Sequence, residues 1–112
     1  MTAFSSDILR GHTETVILKI LIEKDSYGYE ITKKIQDDSE GLVDIKDATI
    51  YTAFRRMEKD GLVDTYWTDG IGGTRRRYYN VTDAGRAEYH MKSEEWKRIR
   101  EVLDRLIMVK NG

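Results

Sequence analysis

The helical spacing of this chain breaks off once, and the residues beyond the break limit the architectures open to it. Up to Asp60 apolar residues recur at intervals of three and four. From Leu62 to Thr68 the chain turns to β-formers, Val63, Thr65, Tyr66 and Trp67. Asp69-Gly70-Ile71-Gly72-Gly73 comes next, and Arg75 to Val81 is a second β-rich run with Tyr78 and Tyr79. Two such runs around a glycine-rich loop predict an antiparallel hairpin. A two-stranded hairpin is marginal alone in water, so this one must lean on helices. Proline is absent, so the turns fall to Gly, Asp and Asn, and no helix is broken by a proline ring.

Three helices are expected before the hairpin. The first spans Asp7 to Lys24, with Val16, Ile17, Ile20 and Leu21 on one face and Ile8 and Thr13 farther back on the same side. Asp25-Ser26 ends it and can cap the second, from about Tyr27 to Glu40, which turns Ile31 and Ile35 inward. The third runs from about Asp47 to Asp60. Its inner face is Ile50, Ala53, Phe54 and Met57; its outer face is Thr52, Arg55 and Lys59, flanked by Thr49 and Arg56.

After the hairpin, Thr82-Asp83 caps a helix that is expected to reach about Val109, about 40 Å at 1.5 Å per residue. One stripe holds Tyr89, Trp96, Ile99, Leu103, Leu106 and Ile107, with Val102 at its edge, at partly heptad-like spacing. With 112 residues the chain has one modest core, and this stripe outruns it. A second copy of the chain is the simplest surface to cover it. The expected dimer interface is therefore Tyr89, Ile99, Val102, Leu103, Leu106 and Ile107. The expected fold class is mainly α with a small β-hairpin. The expected division is 1–81, the compact head, and 82–112, the dimerisation helix.

Composition excludes more than it proposes. There is no cysteine, hence no disulfide, thiolate metal site or cysteine nucleophile. No run approaches a membrane span, and Met1 to Arg10 lacks the apolar core of a signal peptide, so a cytoplasmic protein is expected. His12 and His90 lack metal-ligand spacing, and Gly70 to Gly73 sits at a hairpin tip, not at a strand-to-helix junction. Asp37-Asp38 reads as a solvated pair on a helix surface. No enzyme activity, cofactor or metal is expected.

The order helix, helix, helix, glycine-tipped hairpin is that of a winged helix-turn-helix, whose third helix enters the DNA major groove while the hairpin, or wing, touches backbone or minor groove. The net charge of -1 gives no support, but its distribution does. From Lys46 to Tyr79 there are seven cations (Lys46, Arg55, Arg56, Lys59, Arg75, Arg76, Arg77) against five anions (Asp47, Glu58, Asp60, Asp64, Asp69). Phosphate contacts supply most affinity for DNA, and these cations are placed to make them. Strand alternation sends Arg75 and Arg77 to one face and Arg76 to the other. A charged edge strand that resists aggregation is the competing explanation. Tyr27 and Tyr29 either offer hydroxyls and a helix start to a phosphate, or one fills the core while Gly28 permits close packing. Tyr51 either reaches a phosphate or packs inward. Thr49 and Thr52 face base edges, phosphate or water. Trp67 reads as hairpin packing. Trp96 is either interface core or one of two rings facing across a two-fold axis to hold a flat aromatic ligand.

Several blocks together resemble the PadR family of bacterial transcriptional regulators: Tyr27-Gly28-Tyr29-Glu30-Ile31, Ala48-Thr49-Ile50-Tyr51, Arg55 to Val63, the wing Gly72 to Tyr79, and Val81-Thr82-Asp83-Ala84-Gly85-Arg86. The likeness covers Leu9 to about Trp96, and the single C-terminal helix resembles the compact branch. It implies a dimeric repressor of a palindromic operator, released by a small aromatic or drug-like ligand. Trp96 falls where some multidrug-sensing members carry a ligand-stacking Trp, which makes Ile8, Thr15 and Arg100 pocket walls. Thr52 and Thr74 stand where the family often has Pro. The alternative from another class is a winged-helix protein–protein adaptor that binds no DNA.

Overall fold

The computed structural model describes residues 4–110. Met1 to Ala3 of the expected leaderless start, and the last two residues of the expected 82–112 unit, lie outside them. A 3₁₀ turn, Ser6–Leu9, precedes α1 (Thr13–Glu23), α2 (Gly28–Asp38) and α3 (Asp47–Lys59). Then come β1 (Val63–Asp69), a short 3₁₀ turn at the tip (Ile71–Gly73), β2 (Arg75–Val81) and α4 (Asp83–Ile107).

One expected element is corrected. The first helix does not run unbroken from Asp7. Gly11 has a φ of +82°, a left-handed conformation that no residue takes inside an α-helix, and α1 begins only at Thr13. Ile8 therefore sits exposed on the preceding 3₁₀ turn, off the inner face of α1. The periodicity hides this because Leu9 still packs against the core from the turn. Two helix ends also fall short: α2 stops at Asp38 and α4 at Ile107.

The three helices converge on one core: Ile17, Leu18, Ile20 and Leu21 from α1, Ile31 and Ile35 from α2, and Ile50, Ala53, Phe54 and Met57 from α3. The hairpin supplies Val63, Tyr79 and Val81. Its register pairs Val63 with Val81 at the buried end and Asp69 with Arg75 at the tip. The outer edge of β2 is covered at Tyr79. Ser26 bridges to Tyr79 in antiparallel fashion, Tyr79 N–H donating to the Ser26 carbonyl at 2.8 Å. This covers an edge that would otherwise present unpaired backbone groups, and it ties the α1–α2 turn to the wing.

The start of α4 is seated on the hairpin. Thr82 caps it, its hydroxyl accepting from Gly85 N–H at 3.0 Å and donating to the Gly61 carbonyl at 2.7 Å. Gly85 is buried so tightly that a Cβ there would strike the Leu62 carbonyl and lie 2.7 Å from Val81 Cγ2. Tyr89 packs against the core. Ile99 is the last half-buried side chain, and every residue from Arg100 to Lys110 is exposed. The radius of gyration, 16.1 Å, exceeds the roughly 13 Å of a compact chain this long because α4 projects.

Candidate nucleic-acid interface

Helix α3 is fixed by its inner face, which leaves its outer residues in three different situations. Thr52 bonds back to its own helix, donating to the Ala48 carbonyl at 2.9 Å while accepting from Arg55 at 3.3 Å. Thr49 and Lys59 are exposed. Among the described residues neither Arg55 nor Lys59 is in an ion pair. Arg56 is paired: its Nη1 lies 3.2 Å from Glu14 Oε2 on α1.

The wing arginines divide by strand alternation as expected. Arg75 lies over the Trp67 ring at 4.9 Å, and Arg77 on the same face lies over Tyr79 at 5.6 Å. Arg77 also donates to Glu58 at 3.1 Å and to Thr65 at 3.3 Å. Arg76, on the opposite face, covers Tyr27 at 4.7 Å. Such cation–π contacts orient a guanidinium without neutralising it.

Wing and helices enclose a cleft of about 350 Å³ lined by Tyr27, Gly28, Tyr51, Trp67, Arg75, Arg76, Arg77 and Tyr79. Gly28 is what lets Tyr51 approach, since a Cβ at that position would be 2.6 Å from the Tyr51 hydroxyl. Neither Tyr27 nor Tyr29 fills the core. Tyr27 packs edge-on against Tyr78, centroids 5.3 Å apart, and Tyr29 is exposed. Among the described residues no carboxylate lines this cleft, so Arg75 and Arg76, with Arg77 partly offset by Glu58 behind it, make it attractive to an anion. Burial pushes the Tyr79 hydroxyl above its ordinary pKa, with Arg77 pulling the other way. Trp67, expected to be hairpin packing, is 55% exposed and faces this cleft. A second cleft, about 790 Å³, lies between α1, α3 and α4 and takes in Glu14, Thr15, Thr49, Thr52, Arg56, Glu88 and Lys92.

The posture of the wing depends on Asp25, which the sequence offers as a cap for α2; the cap is instead Tyr27, with no side-chain bond, and the Asp25 carboxylate turns to the wing. Asp25 accepts from the Tyr66 hydroxyl at 2.7 Å and from Asn80 Nδ2 at 3.0 Å. The bond to this carboxylate, reinforced by desolvation and by Asp25's charge, pushes the Tyr66 pKa from 10.0 to about 12. A raised pKa means the fold favours the protonated phenol. The stabilisation is complete below pH 10 and is lost as pH climbs toward 12. Asp25→Asn is expected to return Tyr66 toward ordinary ionisation, so that an ultraviolet titration shows one more of the seven tyrosines ionising early. An unchanged titration curve would show that Asp25 does not hold the wing.

The candidates on α4 stand apart from this surface. Trp96 is 40% exposed, and the His12 ring meets it edge-on at 5.2 Å. Thr15 lines the larger cleft, but Trp96, Ile8 and Arg100 do not, so that cleft does not bring the four together. Tyr89 is partly buried by its own chain; Val102, Leu103, Leu106 and Ile107 are exposed, Leu106 by 76%. Among the described residues no helix is long and apolar enough to cross a membrane, and no group of three or more metal-ligating side chains gathers.

Three helices, a wing hydrogen-bonded to the turn between the first two, and an appended helix together define a winged helix-turn-helix regulator of transcription. The sequence profile of the Transcriptional regulator PadR-like family matches residues 17–91, and the chain belongs to that family of DNA-binding regulators. A transcriptional regulator from Clostridium thermocellum superposes with a TM-score of 0.86 at 42% identity, over 95% of this chain and 100% of that one. A PadR family transcription regulator from Clostridium difficile gives 0.76 at 36% identity, over 87% and 99%. A Lysinibacillus sphaericus protein is 39% identical across 99 residues, 88% of this chain and 91% of its own length.

Proposed function

We propose that the chain is a cytoplasmic homodimeric repressor that reads a palindromic operator. The observation that carries this reading is the cleft in which Tyr51 of α3 meets Arg75, Arg76 and Arg77 of the wing, because it joins the reading helix to a cationic surface beside it. In this reading residues 1–81 bind DNA and 82–112 dimerise. Thr49 and Thr52 face base edges. Arg55, Lys59, Arg75 and Arg76 neutralise phosphates, and Tyr27, Tyr29 and Tyr51 add hydroxyls to the backbone path. Arg56 and Arg77, each already facing a glutamate, contribute less in the free protein.

A second chain laid along α4 would cover Ile99, Val102, Leu103, Leu106 and Ile107. It would also bring two part-exposed Trp96 rings toward the two-fold axis. A planar aromatic ligand between them, with Ile8, Thr15 and Arg100 as walls, would alter the separation of the reading heads. That separation must match about 34 Å of duplex, so a small change costs affinity.

Fluorescence anisotropy on DNA from upstream of the chain's own coding region, across a range of salt, tests the DNA-binding reading. Arg55→Ala with Arg76→Ala is expected to reduce the log–log salt slope by about 1.8 per head, two phosphates at about 0.9 each. A wild-type protein that leaves this DNA unbound, or a double variant with unaltered slope, would favour the adaptor instead.

A further inference from the structure

We propose that Glu14 is a positioning residue that restrains DNA binding, holding Arg56 of the reading helix against α1 and off the phosphates. The inference rests on the DNA-binding reading above. Among the described residues, Glu14–Arg56 is the one ion pair between α1 and α3. It spans 42 positions of sequence at 3.2 Å, with the Arg56 side chain 64% exposed and the Glu14 side chain 30%. The carboxylate is thus the better fixed partner.

Its backbone is fixed as well. Glu14 lies in the first turn of α1. His12 at the cap of that turn is packed against Trp96 of α4, and the Thr13 hydroxyl donates to the Leu9 carbonyl at 3.3 Å. The surroundings favour restraint over recruitment. Glu14, Asp60 and Glu88 line the α1/α3/α4 cleft against only Arg56 and Lys92. The cleft beside α1 thus carries one net negative charge, whereas the cleft beside the wing holds Arg75 and Arg76 with no carboxylate in its lining. Exposed ion pairs are weak, so Arg56 is held loosely enough for a single neutralisation to free it.

Glu14→Gln keeps the shape of the side chain and removes its charge. It is expected to tighten operator binding about tenfold at low salt and to steepen the log–log salt slope by about 0.9 per head, the signature of one added phosphate contact. Arg56→Ala alone is expected to lower affinity and flatten the slope by less than the loss of an unpaired cation such as Arg55 does. In the Arg56→Ala background, Glu14→Gln is expected to have no further effect. Thermal midpoints of the three variants check that the fold is intact. An equal gain with and without Arg56 would overturn the inference, because Glu14 would then be repelling DNA directly. So would a Glu14→Gln protein that binds as wild type does. Wild-type protein that binds no DNA would overturn the proposed function and this inference with it.

Discussion

Leu103→Glu together with Leu106→Glu is expected to leave the chain monomeric at micromolar concentration and to weaken operator binding by about 10³-fold. Both side chains lie beyond Ile99, where the chain's own core ends, and both are exposed. Neither belongs to the chain's core or packs against it, so helix α4 and the head should keep their structure. What is lost, in the homodimer proposed above, is the partner. A dimer binds the second half-site at an effective concentration set by the rigid link between heads, and such linkage is worth about 10² to 10⁴ in affinity without any new contact. Four glutamates brought together across a two-fold axis would add like-charge repulsion in a desolvated seam. Sedimentation equilibrium gives the mass and anisotropy the affinity. A variant that remains dimeric, or a monomer that binds the full operator as tightly as wild type, would remove α4 from the account of DNA recognition.

The parts of this molecule that can be read from sequence are those whose signal is local. The core face of α3, from Ile50 to Met57, repeats at three and four residues and is buried as read. The hairpin is bounded by its glycines, and the division of Arg75 and Arg77 from Arg76 follows from the two-residue period of a strand. Gly11 escapes such a reading because the apolar spacing continues through it, carried by a 3₁₀ turn where a helix is expected. The electrostatics are less legible. Arg56 counts as a free cation in any tally of charges, yet its partner is Glu14. The carboxylate that holds the wing, Asp25, is 41 positions from Tyr66 and 55 from Asn80. Such pairs depend on tertiary closure, and no local pattern encodes them. Trp67 departs from expectation for a related reason: alternation gives its face, but not that the face opens onto a cleft.

Phe54→Ala is expected to cost about 3–5 kcal/mol of folding free energy, the range for deleting a fully buried phenylalanine. The ring is wholly buried and stacks on Tyr79 with centroids 3.6 Å apart and planes 9° from parallel. Its edge meets Tyr51 at 6.1 Å. Phe54 thus joins its own helix, α3, to the strand that carries the wing arginines, and its loss opens a cavity at the joint that aligns them. For a domain of this size the thermal midpoint should fall by on the order of 15 °C, measured at fixed protomer concentration so that association does not enter. Phe54→Leu refills most of the volume without the flat face that Tyr79 stacks on. It is expected to recover more than half of the lost stability. If the joint matters for recognition, the leucine variant, though folded, will still bind operator less tightly than wild type, because Tyr79 and Tyr51 no longer share one rigid platform. Folding free energies from urea titration and affinities from anisotropy separate the two effects. A leucine variant with wild-type affinity would show that Phe54 serves the core alone and that the wing keeps its place through Ser26 and Asp25.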